Sequence, residues 1–179
     1  MPKSAAKATK KNKTAQVEKT VANPTRNDLA AAVRVKMVDL LNQQLADTAD
    51  LYSQVKQAHW NVKGPQFIAL HELFDDLAED ILGYVDDLAE RAVQLGGNAL
   101  GTARMAAANS RLPDFPAAAV GSMEAATLVA DRFAAVATTT RASIDIADEA
   151  GDKDTSDLFT GISRGLDKAL WFLEAHLQE

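Results

Sequence analysis

The apolar residues between Pro65 and the Gly96-Gly97 pair recur every three or four positions, the period of an α-helix, over about thirty residues. One stripe of these side chains suits the face that packs into a core: Phe67, Leu70, Phe74, Leu77, Ile81, Tyr84, Val85, Leu88, Ala92 and Leu95. A second stripe holds Ile68, Leu82, Ala89 and Val93. Because a bundle helix needs only one core face, the pattern predicts a long helix that also packs against a helix of another subunit.

Four side chains that can bind a metal ion are interleaved with the second stripe: His71, Asp75, Asp86 and Glu90. At ~100° per residue they fall within an arc of about 100°. The His71/Asp75 pair and the Asp86/Glu90 pair are centred fifteen residues apart, roughly 22 Å along a helix, so one ion cannot touch both pairs in one chain. An antiparallel copy of the helix, related by a two-fold axis near residue 80 or 81, would place each pair beside its complement. The spacing therefore predicts two identical sites per dimer.

A fifth candidate ligand, His59, lies about as far before the Gly64-Pro65 turn as His71 lies after it, so a helical hairpin can bring the two histidines together. Imidazoles with carboxylates suit Fe(II), Mn(II) or Zn(II). Taken singly, a helical Asp is usually solvated and a lone His is usually structural. We keep that interpretation for the outer carboxylates Asp76, Asp80 and Asp87. It is weaker for the carboxylates interleaved with the second stripe, because leaving them unpaired on a partly apolar surface would cost free energy.

The remaining apolar periodicity predicts three more long helices. The first follows an N-cap at Asn27 or Asp28 and ends near Val62; the third begins with Ser122 as its cap and ends near Ala150; the last is capped by Asp152 or Asp154. Residues 96–121 form a long connection, for which we predict a short helix near 102–109. A connection of this length usually crosses over a bundle. The sequence thus predicts an all-α four-helix bundle with one long crossover.

The net charge of −6 conceals a strong asymmetry. Residues 1–26 hold seven basic residues against Glu18, a net charge of +6, so the remainder carries −12; the basic residues are Lys3, Lys7, Lys10, Lys11, Lys13, Lys19 and Arg26. This composition predicts a disordered basic arm, residues 1–26, before a folded domain, residues 27–179. Such arms often bind polyanions, here DNA. A solubilising tail or a transit peptide is the alternative, although transit peptides favour Arg and an amphipathic face.

Two absences narrow the class of protein. The chain has no cysteine, which excludes disulfides and thiolate metal sites and fits a reducing compartment. No run of eighteen apolar residues and no apolar segment after the N-terminal lysines is present, so neither a membrane span nor a secretory signal is expected. We expect a cytoplasmic protein that associates with the nucleoid and not with a membrane.

Three segments resemble a known family. They are residues 56–67 (KQAHWNVKGPQF), followed by His71-Glu72; residues 86–97 (DDLAERAVQLGG); and residues 163–174 (SRGLDKALWFLE). Together they resemble the Dps family, the DNA-binding proteins from starved cells, which are miniferritins of the ferritin-like superfamily. The resemblance spans about residues 25–177.

The resemblance implies a hollow homo-dodecamer with ferroxidase sites shared across its two-fold interfaces. It assigns His59, His71 and Asp75 of one subunit and Asp86 and Glu90 of its mate as the iron ligands. It implies that Fe(II) is oxidised with hydrogen peroxide in preference to dioxygen, and that ferric oxide is stored inside the shell. Trp60 would intercept radicals, although such a residue is more often simply buried packing.

The resemblance also assigns a second acidic group to iron entry. Three-fold pores would be lined by residues of the cluster Glu149, Asp152, Asp154 and Asp157, whose alternative role is helix-capping charge on a solvated surface.

Two other function classes compete with iron storage. An architectural, DNA-compacting protein would need no working metal site, whereas all five ligands are intact here. A di-metal oxygenase inside the bundle usually needs paired Glu-x-x-His motifs, which the sequence lacks.

Overall fold

The computed structural model describes residues 23–118 and 121–178, and these residues form four long helices and one short helix. The helices are α1 (Ala31–Asn61), α2 (Phe67–Gln94), α3 (Ala103–Asn109), α4 (Ser122–Glu149) and α5 (Lys153–Ala175). Within these ranges the only strand-like pairing is one isolated bridge between Lys63 and Gly121. The all-α class, the long crossover and its short helix are therefore confirmed.

Two antiparallel hairpins build the bundle. Helices α1 and α2 pair closely, as do α4 and α5, and α1 packs against α4 to join the hairpins, while α3 lies along α1. Fully buried side chains from all four long helices fill the centre, among them Leu45, Phe74, Ile81, Phe133 and Phe159. Burying one such side chain contributes roughly 1.5–3 kcal/mol, so this shared core holds the helices in register. None of the helices in the described ranges has the length and apolar character needed to cross a membrane.

The helix ends agree only in part with the sequence prediction. Asp152 caps α5 as expected, since its side chain accepts a hydrogen bond from the backbone N–H of Thr155 at 3.0 Å. The predicted cap of α1 at Asn27 or Asp28 is wrong. Asn27 instead closes a turn by accepting from the N–H of Leu29, and the helix starts after Ala30.

The predicted cap of α4 at Ser122 is wrong by one residue. Ser122 is the first residue of α4, and Gly121 takes the cap position.

Asn23, which the charge pattern assigned to the arm, contacts the loop after α2. The backbone N–H of Asn23 donates to the carbonyl of Gly96 at 3.1 Å, and its side-chain amide donates to the carbonyl of Gly97 at 3.3 Å. All six lysines of the predicted arm lie outside the described residues, so the arm remains a prediction.

The register of the first hairpin is fixed by three contacts along its length. Arg34 on α1 donates to the carbonyl of Leu95, Lys56 pairs with Asp75, and the ring of His59 stacks on that of His71. In an antiparallel pair the same offset applies throughout, so Asp50 on α1 lies level with Asp80 on α2. Asp80 stands beside the two-fold axis that the ligand spacing predicts.

One of the two glycines within α5 has a packing role. An added Cβ at Gly165 would lie 1.9 Å from the Tyr84 hydroxyl, so glycine lets α2 approach α5 there. An added Cβ at Gly161 would meet nothing within 4 Å. The half-buried position of the Tyr84 phenol raises its pKa, first by desolvation and then by the charges of Asp80 and Asp87.

Candidate metal centre

His59 and His71 meet across the first hairpin, as the sequence predicted. Their ring centroids are 3.8 Å apart and the planes differ by 17°. Nδ1 of His59 lies 2.7 Å from the carbonyl oxygen of His71, and Nδ1 of His71 lies 2.9 Å from the carbonyl oxygen of His59. Because a carbonyl oxygen only accepts, each Nδ1 carries a hydrogen and donates it. In its neutral form each ring then keeps Nε2 unprotonated and able to bind a metal ion.

Asp75 stands beside this pair, but its carboxylate is already engaged. Its Oδ1 lies 4.0 Å from Nε2 of His59 and accepts a direct hydrogen bond from the ammonium of Lys56. That hydrogen bond is the main cause of a lowered pKa of Asp75; desolvation opposes it, and the charges of Lys56, His59 and His71 add to it. Lys56 was missed by the sequence analysis, although its position one turn before His59 puts it on nearly the same face of α1.

Replacing Lys56 with Gln should strengthen metal binding at Asp75. The substitution removes the cation that competes with Fe(II) for the carboxylate and keeps most of the side chain's length. Because the pair is partly solvent-exposed, the Fe(II) concentration giving half-maximal initial oxidation should fall only about two- to fivefold. Lys63→Gln, on the nearby turn, is the matched control and should change nothing. An unchanged or higher half-maximal concentration for Lys56→Gln would mean that the ammonium assists iron binding.

Asp86 and Glu90 lie on the same side of α2 as His71 and Asp75, and both are exposed. They do not approach the histidines of their own chain. Across the described part of the chain, no three His, Cys, Asp or Glu side chains converge to hold an ion. The candidate ligands thus form two separate groups on one helix, neither of which surrounds an ion alone.

The second apolar stripe of α2 is exposed along most of its length. The exposed fractions are 60% for Ile68, 51% for Leu82 and 54% for Val93. Phe67, assigned to the core stripe, is 41% exposed, and that assignment is wrong because it sits at the first turn, beyond the end of the core. Large exposed apolar side chains aligned along one face of a helix are typical of an interaction surface. The outer carboxylates Asp76, Asp80 and Asp87 are exposed, as expected for solvated side chains without a metal-binding role.

Trp60, next to His59, is 66% exposed in the single chain. The Lys56 ammonium lies 5.8 Å from the centroid of the Trp60 ring, within the range of a cation–π contact. Trp60 is therefore not core packing, and its indole adjoins the histidine pair.

The acidic cluster at the turn between α4 and α5 divides into two kinds of residue. Asp152 is 2% exposed; besides capping α5 it accepts from Arg91 Nη2 at 2.7 Å and from the Thr155 hydroxyl at 2.6 Å. Its carboxylate is buried and hydrogen-bonded within its own chain, which argues against a place in a pore lining. Glu149, Asp154 and Asp157 are exposed, and Asp154 lies 3.8 Å from Arg91.

Comparison with known proteins agrees with this architecture. Residues 38–179 match the ferritin-like domain family. The "DNA protection during starvation protein" of Agrobacterium fabrum is 45% identical over 155 residues, covering 87% of this chain and 96% of the relative. The protein of that name from Brevibacillus brevis is 36% identical, covering 78% and 93%.

Solved structures give the same result. DpsC from Streptomyces coelicolor superposes with a TM-score of 0.85 at 29% identity, covering 89% of this chain and 93% of that one. A Dps protein from Bacillus brevis gives 0.77 at 33% identity, covering 82% and 98%. Four long helices with a single long crossover define the ferritin-like class. Within that class, the chain belongs to the Dps family.

Proposed function

We propose that the chain forms a hollow dodecamer that oxidises Fe(II) with hydrogen peroxide, stores the ferric product as an oxide, and binds DNA without sequence preference. The observation that carries the proposal is the division of the ligands into two exposed groups on one helix. His59, His71 and Asp75 form one group, and Asp86 and Glu90 form the other. An antiparallel copy of α2 supplies each group with its complement.

The two groups together make a ligand set suited to Fe(II), with two imidazole nitrogens and three carboxylates. The reciprocal bonds from Nδ1 to backbone carbonyls hold both Nε2 atoms in place before iron arrives. Lys56 lowers the pKa of Asp75, and its ammonium balances the charge of the carboxylate in the empty site. Iron binding at Asp75 then replaces the Lys56 ammonium with Fe(II). The carboxylate therefore has a positively charged partner both before and after iron binds.

The reaction balances without a further reductant or oxidant. Two Fe(II) ions each lose one electron, the O–O bond of one peroxide breaks, and two protons are taken up to give two waters. Because both electrons go to one peroxide, hydroxyl radical is avoided. The exposed indole of Trp60 beside His59 can give up an electron when only one Fe(II) is oxidised.

Iron would reach the interior through openings lined by Glu149, Asp154 and Asp157. All three are exposed around one turn, and three copies of such a turn would concentrate cations. Asp152 supports that turn from beneath through Arg91. DNA binding is assigned to the lysines of the N-terminal arm, in keeping with the name of the relatives and a cytoplasmic, nucleoid-associated location.

Leu82→Asp tests assembly and oxidation together. The substitution places a carboxylate at the middle of the exposed apolar stripe, where burial against a partner helix without a counter-charge costs several kcal/mol. We expect smaller particles by sedimentation velocity and a large loss of peroxide-dependent Fe(II) oxidation in stopped-flow absorbance.

Ala69→Asp is the matched control, because it adds the same charge at an exposed position outside the stripe. It should leave both measurements unchanged. A full-size, active Leu82→Asp particle would exclude the stripe as the interface, and wild-type protein that oxidised Fe(II) with dioxygen but not with peroxide would contradict the proposed reaction.

A further inference from the structure

The ring of Phe67, at the start of α2, packs against a candidate ligand and not against the core. Its centroid lies 5.1 Å from that of the His71 imidazole, and the two planes are tilted by 32°. The side chain is 41% exposed and does not belong to the cluster of buried residues that fills the bundle. Phe67 is therefore placed to act on the ligand beside it.

The turn and the helical period together place this ring. The backbone N–H of Phe67 donates to the carbonyl oxygen of Gly64 at 3.0 Å, which closes the turn between α1 and α2. Phe67 is the first residue of α2 and precedes His71 by four positions, so the two side chains are neighbours on one face of the helix. The position of Phe67 relative to His71 is thus set by the backbone.

The two histidines differ in how firmly their surroundings hold them. His59 is 9% exposed, so the packing of α1 against α2 restrains its ring. His71 is only half-buried. Its Nδ1 hydrogen bond still lets the imidazole tilt about the line of that bond, and the rings of His59 and Phe67 oppose such a tilt. The orientation of His71 therefore depends on its aromatic neighbours more than that of His59 does.

The plane of an imidazole decides where its ligand atom points. The lone pair of Nε2 lies in the ring plane, so a tilt of the ring moves it away from a metal ion even when Nδ1 keeps its hydrogen bond. A bound cation also withdraws electron density from the imidazole and makes the ring more positive. The π face of a phenyl ring attracts positive charge at centroid distances up to about 6 Å. Phe67 should therefore interact more favourably with His71 when an ion is bound than when the site is empty.

We propose that Phe67 is a positioning residue for the iron ligand His71. Its ring holds the imidazole plane in line with the metal ion and stabilises the imidazole once the ion binds. Phe67 has no atom that binds iron, so it acts only through His71. The proposal rests on the proposed ferroxidase site and adds one residue to it. A contact between aromatic rings is worth about three- to tenfold in an equilibrium constant, which sets the size of the expected effect.

Cobalt(II) binding tests this role without the oxidation reaction, because Co(II) accepts imidazole and carboxylate ligands and its visible absorption bands depend on their geometry. Phe67→Leu removes the ring and keeps an apolar side chain, whereas Phe67→Tyr keeps the ring. In full-size particles, Phe67→Leu should raise the Co(II) dissociation constant about three- to tenfold by isothermal titration calorimetry and should alter the absorption bands. Phe67→Tyr should match the wild type in both measurements.

Phe172→Leu is the matched control. The ring of Phe172, on α5, lies 5.0 Å from that of Trp171, which is not a candidate ligand. The same substitution there removes a paired aromatic ring without altering the surroundings of a ligand, so the Co(II) affinity and spectrum should stay unchanged. Equal losses for Phe67→Leu and Phe172→Leu would show a general loss of packing and would overturn the positioning role.

Fe(II) oxidation separates ligand positioning from a part in the chemistry. Phe67→Leu should raise the Fe(II) concentration that gives a half-maximal initial rate by about three- to tenfold. The rate at saturating Fe(II) should change by less than about twofold, because a loss confined to binding raises KM and leaves kcat. A lower saturating rate with an unchanged half-maximal concentration would contradict the proposal.

Particle size is measured in parallel, because Phe67 adjoins the apolar stripe that is proposed as the interface. Ile68→Ala, at the next position and within that stripe, should yield smaller particles but leave the Co(II) spectrum of the remaining full-size particles unchanged. Phe67→Leu with the same behaviour would assign Phe67 to the interface and overturn the proposal.

The wild-type protein separates this inference from the proposed function. Wild-type particles that bind Co(II) and oxidise Fe(II), with Phe67→Leu indistinguishable from them, would overturn only the role of Phe67. Wild-type protein that does neither would overturn the proposed function together with it.

Discussion

A mixture of His71→Ala and Asp86→Ala chains should oxidise Fe(II), although neither variant does so alone. Each substitution removes a ligand from every site of its own homodimer. The loss should exceed about 100-fold, since even the groups that orient a metal ligand are worth about 10- to 100-fold. In a hybrid dimer one site lacks both ligands and the other keeps the full set. Random pairing makes half of the dimers hybrid, so about a quarter of the wild-type sites should return.

The experiment needs co-refolded chains carrying different tags, so that hybrids can be isolated before peroxide-dependent oxidation is measured. The control mixes His71→Ala with Asp75→Ala. Because these two residues belong to the same ligand group, both sites of that hybrid are damaged and no activity should return. Verified His71/Asp86 hybrids without recovery would place each site within a single chain.

Removing residues 1–20 should eliminate DNA retardation at low salt. Residues 1–20 carry a net charge of +5, so the remaining chain carries −11, and a dodecamer of it would repel phosphate at long range. Twelve arms reverse that charge locally, and many weak lysine–phosphate contacts add up through multivalency. The truncated particle should keep its size and its peroxide-dependent oxidation, because Asn23 and the bundle that follows remain intact.

Salt dependence separates an electrostatic arm from other modes of binding. Full-length protein should lose affinity steeply as salt rises, with a slope of about −0.9 for each phosphate neutralised on duplex DNA. Changing the arm lysines to Gln should act like the truncation, whereas Lys63→Gln on the bundle should not. DNA binding by the truncated particle with an unchanged salt slope would assign it to the bundle, for which exposed Arg104 or Arg111 are the candidates.

The helices and the histidine pair were predictable because periodicity and turn residues are local signals. Gly64 adopts φ 115°, a conformation suited to glycine, and the hairpin it ends brings His59 to His71. Partners set by three-dimensional packing were not predictable. The Lys56–Asp75 pair spans two helices, and nothing in the sequence distinguishes Asp152, which is buried under Arg91, from its exposed neighbour Asp154. The prediction assigned Asn23 to the arm, because charge and composition carry no information about the hydrogen bonds of a single residue.

The crossed hydrogen bonds of His59 and His71 make the ligand pair part of the hairpin's own backbone pairing. Each ring donates a hydrogen bond to a backbone carbonyl of the opposite helix. Separating α1 from α2 at this turn would therefore also turn both Nε2 atoms away from a shared metal ion. An ion held there would bind the closed hairpin and not the open one, and would stabilise it by mass action. Bound Fe(II) would thus stabilise the end of the bundle until it is oxidised. Departure of the ferric product would make the same turn less stable.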